Sequence, residues 1–318
     1  MVKYIANKGG IAMEVINLSK KRFESLEPYE LPANIFNTEA KMYTLPIKNR
    51  WQTVNKILKR LYITSGPTFG NKLQTINSLI DLKEEIDIPE IVFPEKLAVV
   101  DSTVVGYIME LIDSINLETA LNSFDISSER KIKYLYQIGQ VLEKMKQVRA
   151  YAETDIYTNN TVRDFYLNDL HENNFIIDTK TDNIKVVDID SCKINGNYTF
   201  GSKYLTEKSI IGSIRKYKHE ENTVCGGYFE PSEDTEIYCY IMVILNTLYG
   251  GDIHKLSIPE FYNYLEYLYT IGVDLELLTK FEKILSANHN ENPYENLESL
   301  EHVFGRAHKN VFKRVYRK

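Results

Sequence analysis

Acidic and amide side chains recur at fixed spacings in one stretch of the chain, which reads YLNDLHENNFII from Tyr166 onward. Asp169 and Asn174 lie five positions apart between two apolar runs, and a later apolar run, IKVVDIDS, ends at Asp188 and Asp190. These residues fall at the ends of short predicted strands around one hairpin, so their side chains can converge. Carboxylate and amide oxygens are hard ligands that suit Mg²⁺ together with nucleotide phosphates.

This set of residues fits one class of chemistry. A metal ion held by Asn174 and Asp188 would neutralise phosphate charge, and Asp169 is placed to orient an attacking hydroxyl or accept its proton. Positioning and charge neutralisation supply most of the rate in phosphoryl transfer. Taken singly, each residue is better explained as a turn former, because Asp and Asn favour loops for local backbone reasons. Taken together, they favour a site.

Composition limits the other possibilities. A length of 318 residues favours two lobes or two small domains, and a hydrophobic fraction of 43% is enough to form a core. The net charge of −6 argues against nucleic acid as the main partner. No apolar run reaches the roughly 18 residues of a membrane span, and no signal peptide is recognisable, so we expect a cytoplasmic protein without a membrane partner. The three cysteines, Cys192, Cys225 and Cys239, lack metal-site spacing and are predicted to be free thiols.

Short strand-like runs dominate before residue 112. Strands are predicted at 30–37, 41–48, 95–101 and 104–112, the last two forming a hairpin. The run 53–63 alternates like a strand, although its apolar residues also fit a helical stripe. One helix is predicted over 71–86, with Pro89 expected to stop it. Residues 1–29 give no prediction.

Helical periodicity dominates after residue 112. Apolar residues recur at three- and four-residue steps over 129–149, which predicts an amphipathic helix. A polar hairpin follows, in which FIID and IKVVDID flank the turn-rich TKTDN. Further helices are predicted at 234–250, 258–272 and 276–287, with the last segment helical as well. The pattern predicts an α+β protein in which a strand-rich part with one helix precedes a mostly helical part.

Two of these motifs resemble a known family. DLHENN is similar to the catalytic loop of the protein-kinase-like superfamily, where an Asp is followed five residues later by an Asn, and VVDIDS resembles its metal-binding Asp motif. The His two positions after the Asp is most like aminoglycoside and choline phosphotransferases and many bacterial and phage-encoded kinases. The resemblance covers roughly residues 30 to 300 in order. It implies a two-lobed protein-kinase-like fold, with an N-lobe over 1–112 and a C-lobe over 113–318.

The resemblance also implies roles for residues of the C-lobe. Asp169 would be the catalytic base, and Asn174 and Asp188 would be the ligands of Mg²⁺, with Asp190 as a further metal candidate. His171 would either touch the transferred phosphate or hold the loop by a hydrogen bond. Glu236 stands where the family usually has an Asp and is expected to brace the fold.

In the N-lobe, VVGYIMELI looks like the strand that enters the interlobe hinge, so the backbone of Glu110, Leu111 and Ile112 would bind the adenine of ATP. Lys59 would be the lysine that contacts phosphate, with Lys48 and Lys56 as rivals. Two features depart from the family: FNTEAKMY, in the place of the phosphate-covering loop, has no glycine, and helix 71–86 has no central acid to pair with Lys59. Other possible partners of this lysine are Glu39, Glu84 and Glu85.

The resemblance implies an ATP- and Mg-dependent phosphotransferase. A Ser or Thr of a protein is the expected acceptor, because residues 192–230 are long enough to form a peptide-docking segment. Two alternatives stay open. A small-molecule phosphotransferase of the aminoglycoside or choline type, acting on an alcohol, would be favoured by the acids of EENTVCGGYFEPSEDTE. A pseudokinase scaffold would be favoured by the glycine-free loop, although the filled positions 169, 174 and 188 argue against it.

Overall fold

The N-terminal part of the protein is rich in β-sheet and the C-terminal part is helical, which makes a mixed α+β structure. A computed structural model describes residues 2–6, 12–30, 39–48, 52–154, 160–198, 201–205, 230–285, 293–304 and 309–316. The N-terminal elements are β1 (Val2–Ala6), β2 (Ala12–Leu18), α1 (Lys20–Glu24), β3 (Glu27–Pro28), β4 (Ala40–Lys48), β5 (Thr53–Leu61), α2 (Gly66–Leu82), β6 (Lys96–Val100) and β7 (Thr103–Glu110).

The later elements are mostly helices, and three short strands lie among them. They are β8 (Ser114–Asn116), α3 (Leu117–Asn122), α4 (Ser128–Thr154), α5 (Asn160–Arg163), β9 (Phe175–Asp178), β10 (Asn183–Val186), α6 (Glu233–Tyr249), α7 (Ile258–Thr270), α8 (Leu275–Leu285) and α9 (Lys309–Tyr316). Strands β10, β9 and β8 form a small antiparallel sheet in that order.

The described strands of the N-terminal part form one sheet of seven, in the order β1-β2-β6-β7-β5-β4-β3. All neighbours are antiparallel except β2 and β6, which run parallel. Strand β5 lies inside the sheet and is covered on both faces: Ile57 and Leu61 pack with α2, and Leu58 packs with the opposite cluster. Because the adjacent residues Ile57 and Leu58 are buried on opposite faces, the apolar residues of β5 do not alternate strictly and also fit a helical stripe.

Helix α6 forms the centre of the helical part. Its residues are buried on nearly every side from Thr235 to Tyr249, as expected for a helix whose sequence is apolar all round. A capping box between Ser232 and Thr235 starts the helix, and Gly250 ends it in a left-handed conformation with φ of 72°. Because it is packed on nearly every side, this helix is a suitable anchor for the loops that contact it.

Several predicted boundaries differ from the structure. Helix α2 begins at Gly66 rather than at 71, because Pro67 suits a first helical turn, and it ends at Leu82, well before Pro89. Strand β7 ends at Glu110, so residues 111 and 112 lie beyond the sheet. From residue 31 onward, the strand predicted at 30–37 lies outside the described residues. Residues 1–29, which gave no prediction, contain β1, β2, α1 and β3.

Candidate active site

The turn after β10 carries the two predicted acids. Asp188 has a φ of 59°, a left-handed conformation that Asp tolerates better than most residues do. Its side chain is 32% exposed, and its Oδ1 forms an ion pair with Lys59. Because an unusual backbone conformation persists only where the surroundings enforce it, this turn is a candidate functional position.

Lys59 reaches this turn from β5, across the boundary between the sheet and the helical part. Strand alternation places it on the same face as Ile57 and Leu61, and its side chain is only 1% exposed. Its Nζ also lies 2.8 Å from Oδ2 of Asp190. Burial lowers the pKa of Lys59, but the charges of Asp188 and Asp190 outweigh that effect and raise the pKa well above its ordinary value. The ammonium is therefore charged at neutral pH.

Asp190 is the centre of a buried ionic cluster. Its Oδ2 accepts hydrogen bonds from Lys59 and, at 3.0 Å, from the hydroxyl of Tyr107, while Lys72 of α2 lies 3.2 Å from its Oδ1. Burial would raise the pKa of Asp190, but Lys59 and Lys72 hold it well below its usual range. Lys72 forms a second ion pair with Glu39. Both oxygens of Asp190 thus have cationic partners, and this gives it a positioning role. Whether it also binds a metal ion remains a prediction.

The loop that carries Asp169 is braced by α6. Glu236 accepts a hydrogen bond of 2.8 Å from the backbone N–H of Leu167, two residues before Asp169. The same carboxylate is paired with Arg149 of α4 at 2.9 Å, and Arg149 donates to the carbonyl of Phe165 at 3.0 Å. Both charged side chains are almost fully buried. The expected bracing role of Glu236 is therefore confirmed.

A second brace holds the middle of the loop. Glu172, which is buried, lies 2.5 Å from Nζ of Lys203 and accepts hydrogen bonds from the Tyr204 hydroxyl at 2.6 Å and from the Asn246 amide at 3.2 Å. Burial would raise the pKa of Glu172, but Lys203 and the hydrogen bond from Tyr204 lower it. The loop is thereby fixed to α6 and to the chain after Ser202.

Asp169, His171 and Asn174 are brought together by the loop. The amide of Asn174 donates to the carbonyl oxygen of Asp169 at 2.8 Å and lies 3.4 Å from the Asp169 carboxylate. Nε2 of His171 lies 3.5 Å from that carboxylate, and its Nδ1 accepts from the backbone N–H of Asn173 at 3.2 Å. Val187 N–H donates to the carbonyl of Asn174 at 2.9 Å, which places Asn174 next to the turn of Asp188.

A cleft lies between the sheet and the β9–β10 hairpin. Its two walls are apolar: Met42, Ile57 and Met109 on the sheet side, and Ile176 and Val187 on the hairpin side. The cleft is polar at one end, where Asn174 and Asp188 line it, and is bordered elsewhere by Glu110, Leu111 and Ile112. In the described part of the chain, no backbone hydrogen bond engages the peptide groups of Leu111 or Ile112. These groups can therefore serve a ligand.

The structure distinguishes Lys59 from the other candidate phosphate-binding lysines, and it shows two further residues of the site that the sequence did not predict. Lys56 pairs with Glu95 at 2.8 Å, and Lys48 ends β4 on the exposed side. Glu39, one of the suggested partners of Lys59, binds Lys72 instead. The missed residues are Lys72 and Tyr107. Lys72 could have been found, because it lies four and seven positions before Ile76 and Leu79, on the apolar face of its helix.

A scan of the chain against models of protein families finds no match, and a search among curated proteins finds none either. Among the described helices, none combines the length and the apolar character needed to cross a membrane.

Proposed function

We propose that this chain is an ATP- and Mg-dependent phosphotransferase with a two-lobed, protein-kinase-like arrangement, and that its acceptor is a Ser or Thr hydroxyl of a protein. One observation carries the proposal. A cleft with apolar walls is bordered on one side by the peptide groups of Leu111 and Ile112, which form no backbone hydrogen bond within the described residues. Asn174 and Asp188 lie at its polar end, where the buried Lys59 is paired with Asp188. A nucleotide matches this pattern, with a flat apolar base and charged phosphates.

The adenine ring fits between the walls formed by Ile57 and Met42 on one side and Ile176 on the other. The peptide groups of Leu111 and Ile112 supply hydrogen bonds to the edge of the ring. Pockets of this kind take their affinity from apolar contact and their orientation from a few polar groups. Glu110 belongs to the same border through its backbone, since its side chain is exposed.

The polar end has a donor set that suits Mg²⁺. Asn174 uses its amide nitrogen on Asp169, and within the described residues no hydrogen bond occupies its Oδ1. Among the described residues Asp188 is bound through Oδ1 only, and its side chain is 32% exposed, so its second oxygen can take a ligand. Amide and carboxylate oxygens with phosphate oxygens form the usual shell of this ion. When bound, Mg²⁺ would neutralise charge on the phosphates.

Asp169 is the proposed base. The acceptor oxygen attacks the γ-phosphorus, the bond from that phosphorus to the bridging oxygen of ADP breaks, and the hydroxyl proton passes to Asp169. Asn174 and His171 orient the carboxylate, and the bracing of Leu167 by Glu236 fixes the loop. Lys59 contributes positive charge at the phosphates.

The test is transfer of label from γ-labelled ATP with Mg²⁺, assayed on the chain itself and on a generic protein acceptor. Asp169→Asn keeps the size of the side chain and removes the base. Asp125→Asn, at an exposed site before α4, is the matched control. The proposal is supported if labelling of protein falls by at least about 100-fold in Asp169→Asn and is unchanged in Asp125→Asn.

Other results would redirect the assignment. If ATP binds and labels small alcohols but no protein, the acceptor class is wrong and the small-molecule phosphotransferase is correct. If Mg²⁺-dependent nucleotide binding occurs without any transfer, the pseudokinase scaffold is the better description. If no nucleotide binds, the proposal is wrong as a whole.

A further inference from the structure

Helix α2 places a positive charge where an apolar residue would be expected. Lys72 shares a face with Ile76 and Leu79, which are fully buried, and its own side chain is only 11% exposed. Burying an ammonium is costly unless it is paired. Its partners are Asp190, at 3.2 Å, and Glu39. Burial lowers the pKa of Lys72, but Asp190 and Glu39 outweigh this and raise it, so the side chain stays charged.

Two ammonium groups therefore meet at one carboxylate. Lys59 lies against Oδ2 of Asp190 and Lys72 against Oδ1, and Lys59 also touches Asp188. The charge of Lys72 reaches Asp188 as well, where it opposes the effect of burial on that carboxyl. Lys59 thus contacts Asp188, which lines the polar end of the cleft, and Lys72 lies directly behind it at Asp190.

The second partner of Lys72 differs from the first. Asp190 is buried at 1% exposure, whereas the side chain of Glu39 is 40% exposed. Water competes for the exposed carboxylate of Glu39, so this ion pair is weaker than the buried one with Asp190. An anion that enters beside Asp188 can therefore replace Glu39 at Lys72 while Asp190 keeps the ammonium in place.

We propose that Lys72 is a second phosphate-binding cation, which contacts the terminal phosphates of the nucleotide next to Lys59; this inference rests on the proposed function. Phosphates are commonly held by backbone N–H groups of glycine-rich turns. The segment FNTEAKMY has no glycine, so the charge supplied from α2 takes over part of that binding. Asp190 is then the positioning residue for both lysines.

The experiment measures the dissociation constants of ATP and adenosine, each with Mg²⁺, by calorimetry. Lys72→Met should weaken ATP binding by about tenfold or more, the usual loss for a hydrogen bond to a charged group, and leave adenosine unchanged. Lys72→Arg should retain most of the ATP affinity. Lys83→Met is the matched control. Lys83 directly follows the same helix and is 42% exposed, so this variant should bind both ligands like the wild type.

A second variant keeps the test informative if Lys72→Met unfolds. Glu39→Gln removes the competing charge from an exposed position, so ATP should bind several-fold more tightly while adenosine does not change. Equal losses for ATP and adenosine, or no loss of ATP affinity, would make Lys72 a structural brace and overturn the inference alone. A wild type that binds neither ligand overturns the proposed function and this inference together.

Discussion

At the scale of single residues, His171 has two different hydrogen-bonding partners. Its Nδ1 accepts from the backbone of Asn173, and its Nε2 faces the carboxylate of Asp169. Burial lowers the pKa of His171, but the hydrogen bond and charge of Asp169 outweigh it, so the pKa is raised. Protonation of His171 strengthens its contact with Asp169, but a protonated Nδ1 can no longer accept the hydrogen bond from Asn173. The residue therefore connects pH to the shape of the loop.

Because the pKa of His171 is raised on folding, this residue stabilises the folded protein at low pH. Its contribution is fully present below the unfolded histidine pKa of about 6.5 and is lost as pH rises through the folded value. We expect the free energy of unfolding of wild type relative to His171→Gln to be larger at acidic than at alkaline pH. Urea unfolding of both proteins at an acidic and an alkaline pH measures this difference.

His254 gives an internal control, because burial lowers its pKa. The corresponding difference for His254→Gln should change in the opposite direction, decreasing as the pH falls. If both variants respond to pH in the same direction, the interpretation of His171 is wrong.

Among single residues, the sequence predicted the loop residues better than the ionic cluster. Asp169, Asn174 and Asp188 lie in two neighbouring motifs; in the structure Asn174 and Asp188 line one end of a cleft, and Asn174 contacts Asp169. The pairing of Lys59 with Asp190 joins residues more than 100 positions apart, which no local spacing reveals. For Lys72 the sequence gives only an indirect indication, a charged residue on an apolar helix face.

At the scale of elements, periodicity predicted most helices and the strands β4 to β7, because each has one or two buried faces. It gave nothing for residues 1–29, where the strands are short or lie near the edge of the sheet. The ends of elements were less accurate, since caps and turns decide them. Helix α2 shows this clearly, beginning at Gly66 with Ser65 as its N-cap residue.

Strand β7 depends on a close backbone approach at Gly106. A Cβ at this position would lie 2.0 Å from the carbonyl oxygen of Lys59 on β5. Gly106→Ala should therefore lower the free energy of unfolding by about 2 kcal/mol or more, because the two strands must separate. Urea unfolding monitored by circular dichroism measures the change.

Gly70→Ala is the comparison, since a Cβ there meets nothing within 4 Å inside α2. It should raise stability by up to about 1 kcal/mol, because alanine favours the helix. Equal effects of the two substitutions would contradict the close approach at Gly106.

At the scale of the whole molecule, the cleft is lined by both the sheet and the helical part, so a nucleotide would bind them together. We expect saturating Mg-ATP to slow hydrogen exchange both in β5 and in the β9–β10 hairpin. At about 100 times the dissociation constant, the stabilisation is about 2.7 kcal/mol, or roughly 100-fold slower exchange for amides that open with the site. Protection confined to one part would place the ligand elsewhere.

The parallel pairing of β2 with β6 has a consequence for the order in which the protein folds. Ile16 pairs with Ala98, about 80 residues later in the chain. At a synthesis rate of roughly 5–20 residues per second, β2 waits several seconds before its partner is made. The hairpin of β1 and β2 can close early, but its inner edge stays open until β6 and β7 have formed. Although β1 and β2 precede β6 in the chain, they therefore join their sheet late, and the unpaired edge of β2 is exposed until then.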